Sequence, residues 1–294
     1  MWSELMSPGI VGSLALLVGY GVTFSARAPS HYADAGEAYE RTFRGTSLRL
    51  GAGTVQSFLT TNVQGAPLAL GVTLSRGALE QLPAAPNTLS RCYDVDGNGS
   101  HSGHECIGDL ERILDVPLAH TSGIPFKWIT VNWNAAGHPA PYNRPHLDFH
   151  FYTAGRTLIE GITPGRCGEL VDCDHFKRAS EAVPARYLPA GHISVGAVVP
   201  RMGNHLLDSQ SPEIKDSLPF SRTFIYGAYA GELIFWEPMI TMEFIKKTPE
   251  ACFAISQPAA FQRAGFYPTQ YCLRQDAQGG RTITLEGFRY AQAL

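Results

Sequence analysis

Charge is scarce in this chain. Only 17% of its 294 residues are Asp, Glu, Lys or Arg, below the quarter usual in globular proteins. The net charge of −3 leaves no basic footprint for nucleic acid, and no run of like charges marks an interaction tail. Several signatures are also missing: a Gly-x-Ser-x-Gly elbow, a His-Glu-x-x-His helix and a phosphate-cradling glycine loop. The chemistries those motifs serve have nothing to stand on here. No Cys-x-x-Cys occurs, so zinc ribbons and thioredoxin-type redox motifs are unsupported. There is no internal repeat and no biased linker, so one domain from about residue 36 to 294 is the simplest organisation.

What is present leans towards strands and turns. The chain is 44% hydrophobic, with 30 Gly and 20 Pro. Alternating segments include FKWITVNWN (126–134), PHLDFHFY (145–152) and the hairpin RTFIYGAYAGELIFWEPMIT (222–241), which turns at Ala230-Gly231. A first hairpin is expected around Gln64-Gly65-Ala66-Pro67 and a last one between residues 265 and 290. RGALEQL (76–82) and CIGDLERIL (106–114) read as short helices, and residues 161–190 as irregular. The expected class is mainly β (α+β): an antiparallel β-barrel or sandwich with a few short helices.

The N-terminus points to export. Pro8 to Phe24 is an uncharged apolar run followed by Ala26-Arg27-Ala28, the outline of a signal peptide over residues 1–28. An uncleaved anchor is the alternative. The expected location is secreted, periplasmic or cell-surface. Six cysteines fall into three near pairs, which in an exported chain predicts the disulfides Cys92–Cys106, Cys167–Cys173 and Cys252–Cys272.

The segment CYDVDGNGSHSGHEC (92–106) carries the most specific local pattern. A calcium loop takes oxygen ligands at positions 1, 3, 5, 9 and 12, with Gly at 6. Counted from Asp94, these are Asp94, Asp96, Asn98, Ser102 and Glu105, with Gly99 at the turn. His101 departs from the pattern, and the preceding segment is a poor entering helix. A solitary structural calcium loop is therefore expected, closed by Cys92 and Cys106. A plain Gly/Asn-rich surface turn is the alternative.

PHLDFHFY carries the candidate chemistry. Residues two apart share a strand face, so His146, Asp148 and His150 point one way and Leu147, Phe149 and Phe151 the other. Two histidines and an aspartate without lysine suggest a cavity more than a solvated face. His138, His205 and Glu237 are the candidate partners, and imidazole with carboxylate suits zinc or iron. His146, Asp148 and His205 also have the outline of a 2-His-1-carboxylate iron triad, with Arg222 free to bind a co-substrate carboxylate. The alternative is hydrogen-bonded structural histidines with no metal. Asp148 and Glu237 are the candidate general bases. Trp133, Tyr152, Tyr226 and Trp236 are candidate ligand walls. His31, His120, His175 and His192 read as ordinary surface or loop histidines.

Four ordered stretches carry a family resemblance: VNWNAAGHPAP, RPHLDFHFY, VPRMGNHLLD with SPE, and TFIYGAYAGELIFWEPMIT. Over about residues 67–246 the chain resembles a family of exported bacterial proteins. Its prototype is a Thermus protein of unassigned function. The resemblance singles out His138, His146, Asp148, His150, His205 and Glu237 and implies no particular reaction. The tail from Cys252 lies outside it.

Three functions are thus expected in turn. The first is an exported binding protein for a small apolar or aromatic ligand, homo-oligomeric, with a His/Asp/Glu pocket open to a transition metal. The second is a metal-dependent hydrolase or non-haem iron oxygenase. The third is a structural envelope protein.

Overall fold

A computed structural model describes residues 40–294 except 89, 102–104, 118–122 and 169. The N-terminal segment expected to be a signal or anchor lies outside the described residues, as do Ser102, His31 and His120. No helix among the described residues is long and apolar enough to cross a membrane.

Two antiparallel sheets carry the fold. One has six strands, in spatial order Arg41–Leu50, Gly53–Thr61, Pro67–Leu74, Arg281–Glu286, Gln270–Gln275 and Glu250–Ala254. The other has seven: His192–Val199, Gly203–Asp208, Arg222–Tyr229, Glu232–Thr241, His146–Tyr152, Trp128–Asn134 and Leu110–Asp115. Their apolar faces share one core. Leu59, Leu70, Val72 and Leu285 from the first sheet join Val131, Leu147, Phe149, Phe151 and Trp236 from the second. Each such side chain contributes about 1.5–3 kcal/mol on burial. The architecture is a sandwich and not a closed barrel, and Ala38–Leu294 forms one compact unit.

The second face of the seven-stranded sheet is also covered. Ile159, Ile162, Val171 and Ala179, from the long connection after the histidine strand, and Met202, from the turn between His192–Val199 and Gly203–Asp208, pack on Trp128, Tyr152 and Phe235 at one side. Tyr142, Phe220, Ile225 and Met239 form a smaller cluster at the other. The histidine strand His146–Tyr152 is therefore buried at every position.

Two helix expectations fail. CIGDLERIL forms the strands Cys106–Ile107 and Leu110–Asp115, the latter pairing with Trp128–Asn134. Its buried Leu110 and Leu114 stand four apart, a spacing that imitates a helix face until sheet pairing decides. RGALEQL is a run of turns. Ahead of the hairpin at Gln64–Pro67 the chain forms a further one, Arg41–Leu50 with Gly53–Thr61, turning at Gly51-Ala52. Residues 161–190 hold a short strand, Pro164–Cys167, and the helix Cys173–Ala179, whose N-terminus is capped by the Asp172 side chain. The hairpins at 222–241 and 270–286 form as expected. All three expected disulfides are present.

Candidate metal and ligand chamber

Between the two covering clusters lies a cavity of about 180 Å³. Its floor is the polar face of the sheet: Asn132, Asn134, Asp148, His150, His205 and Glu237. Its walls are apolar, from Ile107, Val199, Met202, Ile225 and Met239, and among the described residues no Lys or Arg lines it. An outer cleft of about 640 Å³ adjoins it, sharing Ile107, Asn134, His138, Pro139 and Val199.

Sheet register assembles the floor. Asp148 stands opposite Asn132 on one side and Met239 on the other, and His150 stands opposite Thr130. Glu237 pairs with Ile225, and His205 pairs with Gly227 one strand further out. Gly227 is required there, because a Cβ would overlap the Phe235 ring that lies across it. That ring packs on both His150 and His205, with centroids at 4.9 and 5.1 Å. Gly137 has φ +76°, and a Cβ there would overlap the Tyr142 carbonyl. This tight loop carries His138 over the strand.

The six candidate residues form two groups of identical composition, each with two histidines and one carboxylate. Within each group the ligand atoms lie within 4.8 Å of one another: His150, His205 and Glu237 in one, His138, His146 and Asp148 in the other. In the first, His150 Nε2 is 3.3 Å from Glu237 Oε1 and His205 Nε2 is 3.9 Å from Oε2. In the second, His146 Nε2 is 3.1 Å from Asp148 Oδ1.

These contacts are close without being closed. His146 Nε2, Asp148 Oδ1, His150 Nε2 and Glu237 Oε2 are all buried, and none makes a hydrogen bond of normal geometry. The opposite ring nitrogens are engaged. His146 Nδ1 donates to the Arg144 carbonyl at 2.6 Å and His205 Nδ1 to the Ala197 carbonyl at 3.1 Å, while His150 Nδ1 meets Thr130 Oγ1 at 3.1 Å. Metal-ligating histidines are held in this way, one nitrogen anchored and the other presented. Asp148 Oδ2 is occupied by Asn134 Nδ2 at 2.7 Å and His138 Nε2 at 3.2 Å.

Electrostatics separates the two groups. Burial, and then the Asp148 charge, push the Glu237 carboxyl well above its ordinary range. Burial, reinforced by His205, takes His150 down to about 3. Burial takes His205 down to about 4, against the hydrogen bond to Ala197. No Lys or Arg pairs with Glu237 among the described residues, so this group is a buried carboxyl between neutral imidazoles. In the other group burial opposes ionisation, but the mutual charge of His146 and Asp148 outweighs it. His146 is raised and Asp148 is held well below the usual range.

The remaining expected site residues lie elsewhere. Trp133, Tyr226 and Trp236 do not line the chamber; they point the other way, into the core between the sheets. Tyr152 is on the chamber side, but it stacks on Trp128 at 3.9 Å instead of facing the cavity. Arg222 is taken up between Tyr271 and the Phe253 ring, away from any co-substrate. His192 is buried beside Tyr226, and His175 meets the Tyr229 hydroxyl at 2.7 Å; neither is a plain surface histidine. Sequence reading missed Asn132 and Asn134. Their place in the alternation of FKWITVNWN, next to the histidine strand, was the available signal.

In the loop 92–106, carboxylate oxygens of Asp94, Asp96 and Glu105 lie within 4.8 Å of one another. Asp94 Oδ2 accepts from Gly99 N–H at 3.0 Å, and Glu105 Oε1 accepts from Val95 N–H at 2.8 Å. Asn98 Oδ1 accepts from Ser100. Ser102 lies outside the described residues.

No family model, curated protein or solved structure matches the chain. Fold and site therefore define it only as a disulfide-bonded β-sandwich with a buried histidine–carboxylate chamber, consistent with an oxidising compartment.

Proposed function

We propose that this is an exported metalloprotein that binds a small, largely apolar molecule beside a divalent transition metal of the zinc or ferrous type. His150, His205 and Glu237 would hold the ion. The observation that carries this is that His150 Nε2 and Glu237 Oε2 are buried without a hydrogen bond, while the His150 and His205 rings are both anchored from behind. An unpaired buried carboxyl and two desolvated imidazoles are costly unless something compensates them, and a cation supplies the missing charge. Geometry agrees. Metal–ligand bonds of about 2.0–2.1 Å place neighbouring tetrahedral ligands about 3.3 Å apart, and His150 Nε2 and Glu237 Oε1 are 3.3 Å apart. The cavity, at about 180 Å³, lies below the roughly 300 Å³ at which drug-sized sites begin, so the ligand is small. It would enter by the outer cleft past His138.

A second reading, a metal-dependent hydrolase or oxygenase, is favoured by the second carboxylate on the floor. Asp148, held ionised and hydrogen-bonded to Asn134 and His138, is a fixed negative group that would orient a polar ligand in the cavity. A bound metal would polarise that ligand or a water. Glu237 would then serve as ligand rather than base. Metal analysis of untagged protein tests both readings: one or more equivalents of transition metal are expected, and none would reject them. Native mass spectrometry then separates binder from enzyme by whether a small molecule co-purifies intact. A purely structural envelope role predicts that chamber variants match wild type in every assay.

Calcium in the Asp94–Glu105 loop is an independent part of the proposal, tested by calorimetric titration of the oxidised protein. Membership of the exported family that the four motifs resemble also belongs to it. Self-association would not use the hairpin 222–241, whose side chains are consumed inside the chain. The edge strand His192–Val199, with Ile193 and Val195 exposed, is the surface for it, and sedimentation velocity is the check.

A further inference from the structure

We propose that His138, His146 and Asp148 form a second transition-metal site, so that the chamber takes a pair of ions and not one. The inference rests on the metal reading of His150, His205 and Glu237, and it uses different atoms. His146 Nε2 and Asp148 Oδ1 are 3.1 Å apart, close to the roughly 3.3 Å edge expected for two ligands of one tetrahedral ion. Both atoms are buried, and neither makes a hydrogen bond of normal geometry. The two atoms face each other as an ion contact without a well-formed hydrogen bond, and a cation between them would engage both.

The surroundings are built to hold this geometry. The His146 ring is fixed through Nδ1 on the Arg144 carbonyl, and Arg144 is itself tied to the Phe220 carbonyl at 2.7 Å. Phe220 packs edge-on against the His146 ring at 5.4 Å between centroids. Asn134 holds Asp148 from its other oxygen at 2.7 Å, where His138 Nε2 also approaches to 3.2 Å, so Oδ1 faces His146. The third ligand arrives from a separate element. The loop after Gly137 is pinned by His138 N–H to the Tyr142 carbonyl and Tyr142 N–H to the Pro139 carbonyl, both at 3.1 Å. It sets the His138 ring 4.7 Å from that of His146. His138 is 40% exposed and lines both cavity and cleft, so an ion has a path in and a water has room to complete its shell.

The strand period sets the two sites side by side. His146, Asp148 and His150 succeed one another on one face at intervals of about 6.5 Å, so the two groups are adjacent rungs of one ladder. Every cysteine is in a disulfide, so transition-metal uptake cannot be assigned to thiolates.

The test uses the full, oxidised, untagged chain, stripped with chelator and titrated with Co²⁺ or Zn²⁺ in excess calcium. Two tightly held equivalents per chain are expected. His138→Ala, at a half-exposed position that the fold does not need, should weaken one binding event at least about 10-fold and leave the other unchanged. His205→Ala should do the converse, and Asp148→Asn should repeat the His138 result if His146→Ala fails to fold. One equivalent, lost in His205→Ala and untouched by His138→Ala, overturns the second site and leaves the proposed function standing. Two equivalents that ignore His138, His146 and Asp148 also overturn it. No equivalents overturn both.

Discussion

The chamber and the loop 92–106 are both candidate cation sites, and they differ in where their oxygen and nitrogen atoms are spent. In the loop, Asp94 and Asp96 are exposed, and the carboxylates accept hydrogen bonds from Gly99, Asn98 and Val95. The loop is chemically satisfied as it stands. In the chamber, four buried ligand atoms make no hydrogen bond of normal geometry, a state that costs up to roughly 1–3 kcal/mol per group if nothing fills it. The loop has the stronger sequence pattern, and the chamber has the stronger physical demand for an ion.

The largest expected effect comes from the face opposite the chamber. Phe149→Ala should destabilise the protein by about 3–5 kcal/mol, since its side chain is fully buried in the core behind the histidine strand. Chemical denaturation measures this. The loop, closed by its own Cys92–Cys106 disulfide, should keep whatever calcium affinity it has. Next is Glu237→Gln. Its carboxyl is already raised towards the neutral form, so the metal-free variant should keep wild-type stability to within about 1 kcal/mol. Metal affinity should fall by at least about 100-fold, beyond the 10–100-fold typical of outer-shell losses. Calorimetric zinc titration reads it.

Acid should then separate the regions. His150 and His205 sit near 3 and 4 instead of 6.5, so below about pH 6.5 the unfolded chain binds more protons than the folded one. Their contribution to stability is present above pH 6.5 and is lost as pH falls towards 4. Glu237 runs the other way: its raised carboxyl favours the folded state at low pH and loses that as pH rises. Thermal melts against pH in chelator should show the acid limb, and His205→Asn should flatten it. The smallest effect belongs to the loop. Without calcium, Asp94→Asn should change stability by no more than about 0.5 kcal/mol, because the residue is exposed.

How much of this could be read from residues alone follows from the range of each interaction. The alternation in PHLDFHFY and the missing lysine gave the polar face and its concealment, since both are properties of one strand. The disulfide pairs were legible because their partners are near in sequence. The division into two histidine–carboxylate groups was not, because it depends on register: His205 enters two strands away from Glu237, and His138 enters from a loop. The aromatic residues misled for a related reason. Trp133 and Trp236 alternate with Asn132 and Glu237, so their neighbours line the chamber while they turn into the core. Leu110 and Leu114 imitated a helix because their spacing fits two periods and only pairing with Trp128–Asn134 chooses.

The most direct test of the central claim is X-ray absorption at the metal edge on zinc- or iron-loaded, untagged protein, alone and as His205→Ala. A first shell of nitrogen and oxygen near 2.0–2.1 Å, with imidazole scattering that falls in the variant, is the predicted result. A shell of oxygen only, or one indifferent to His205, would contradict it.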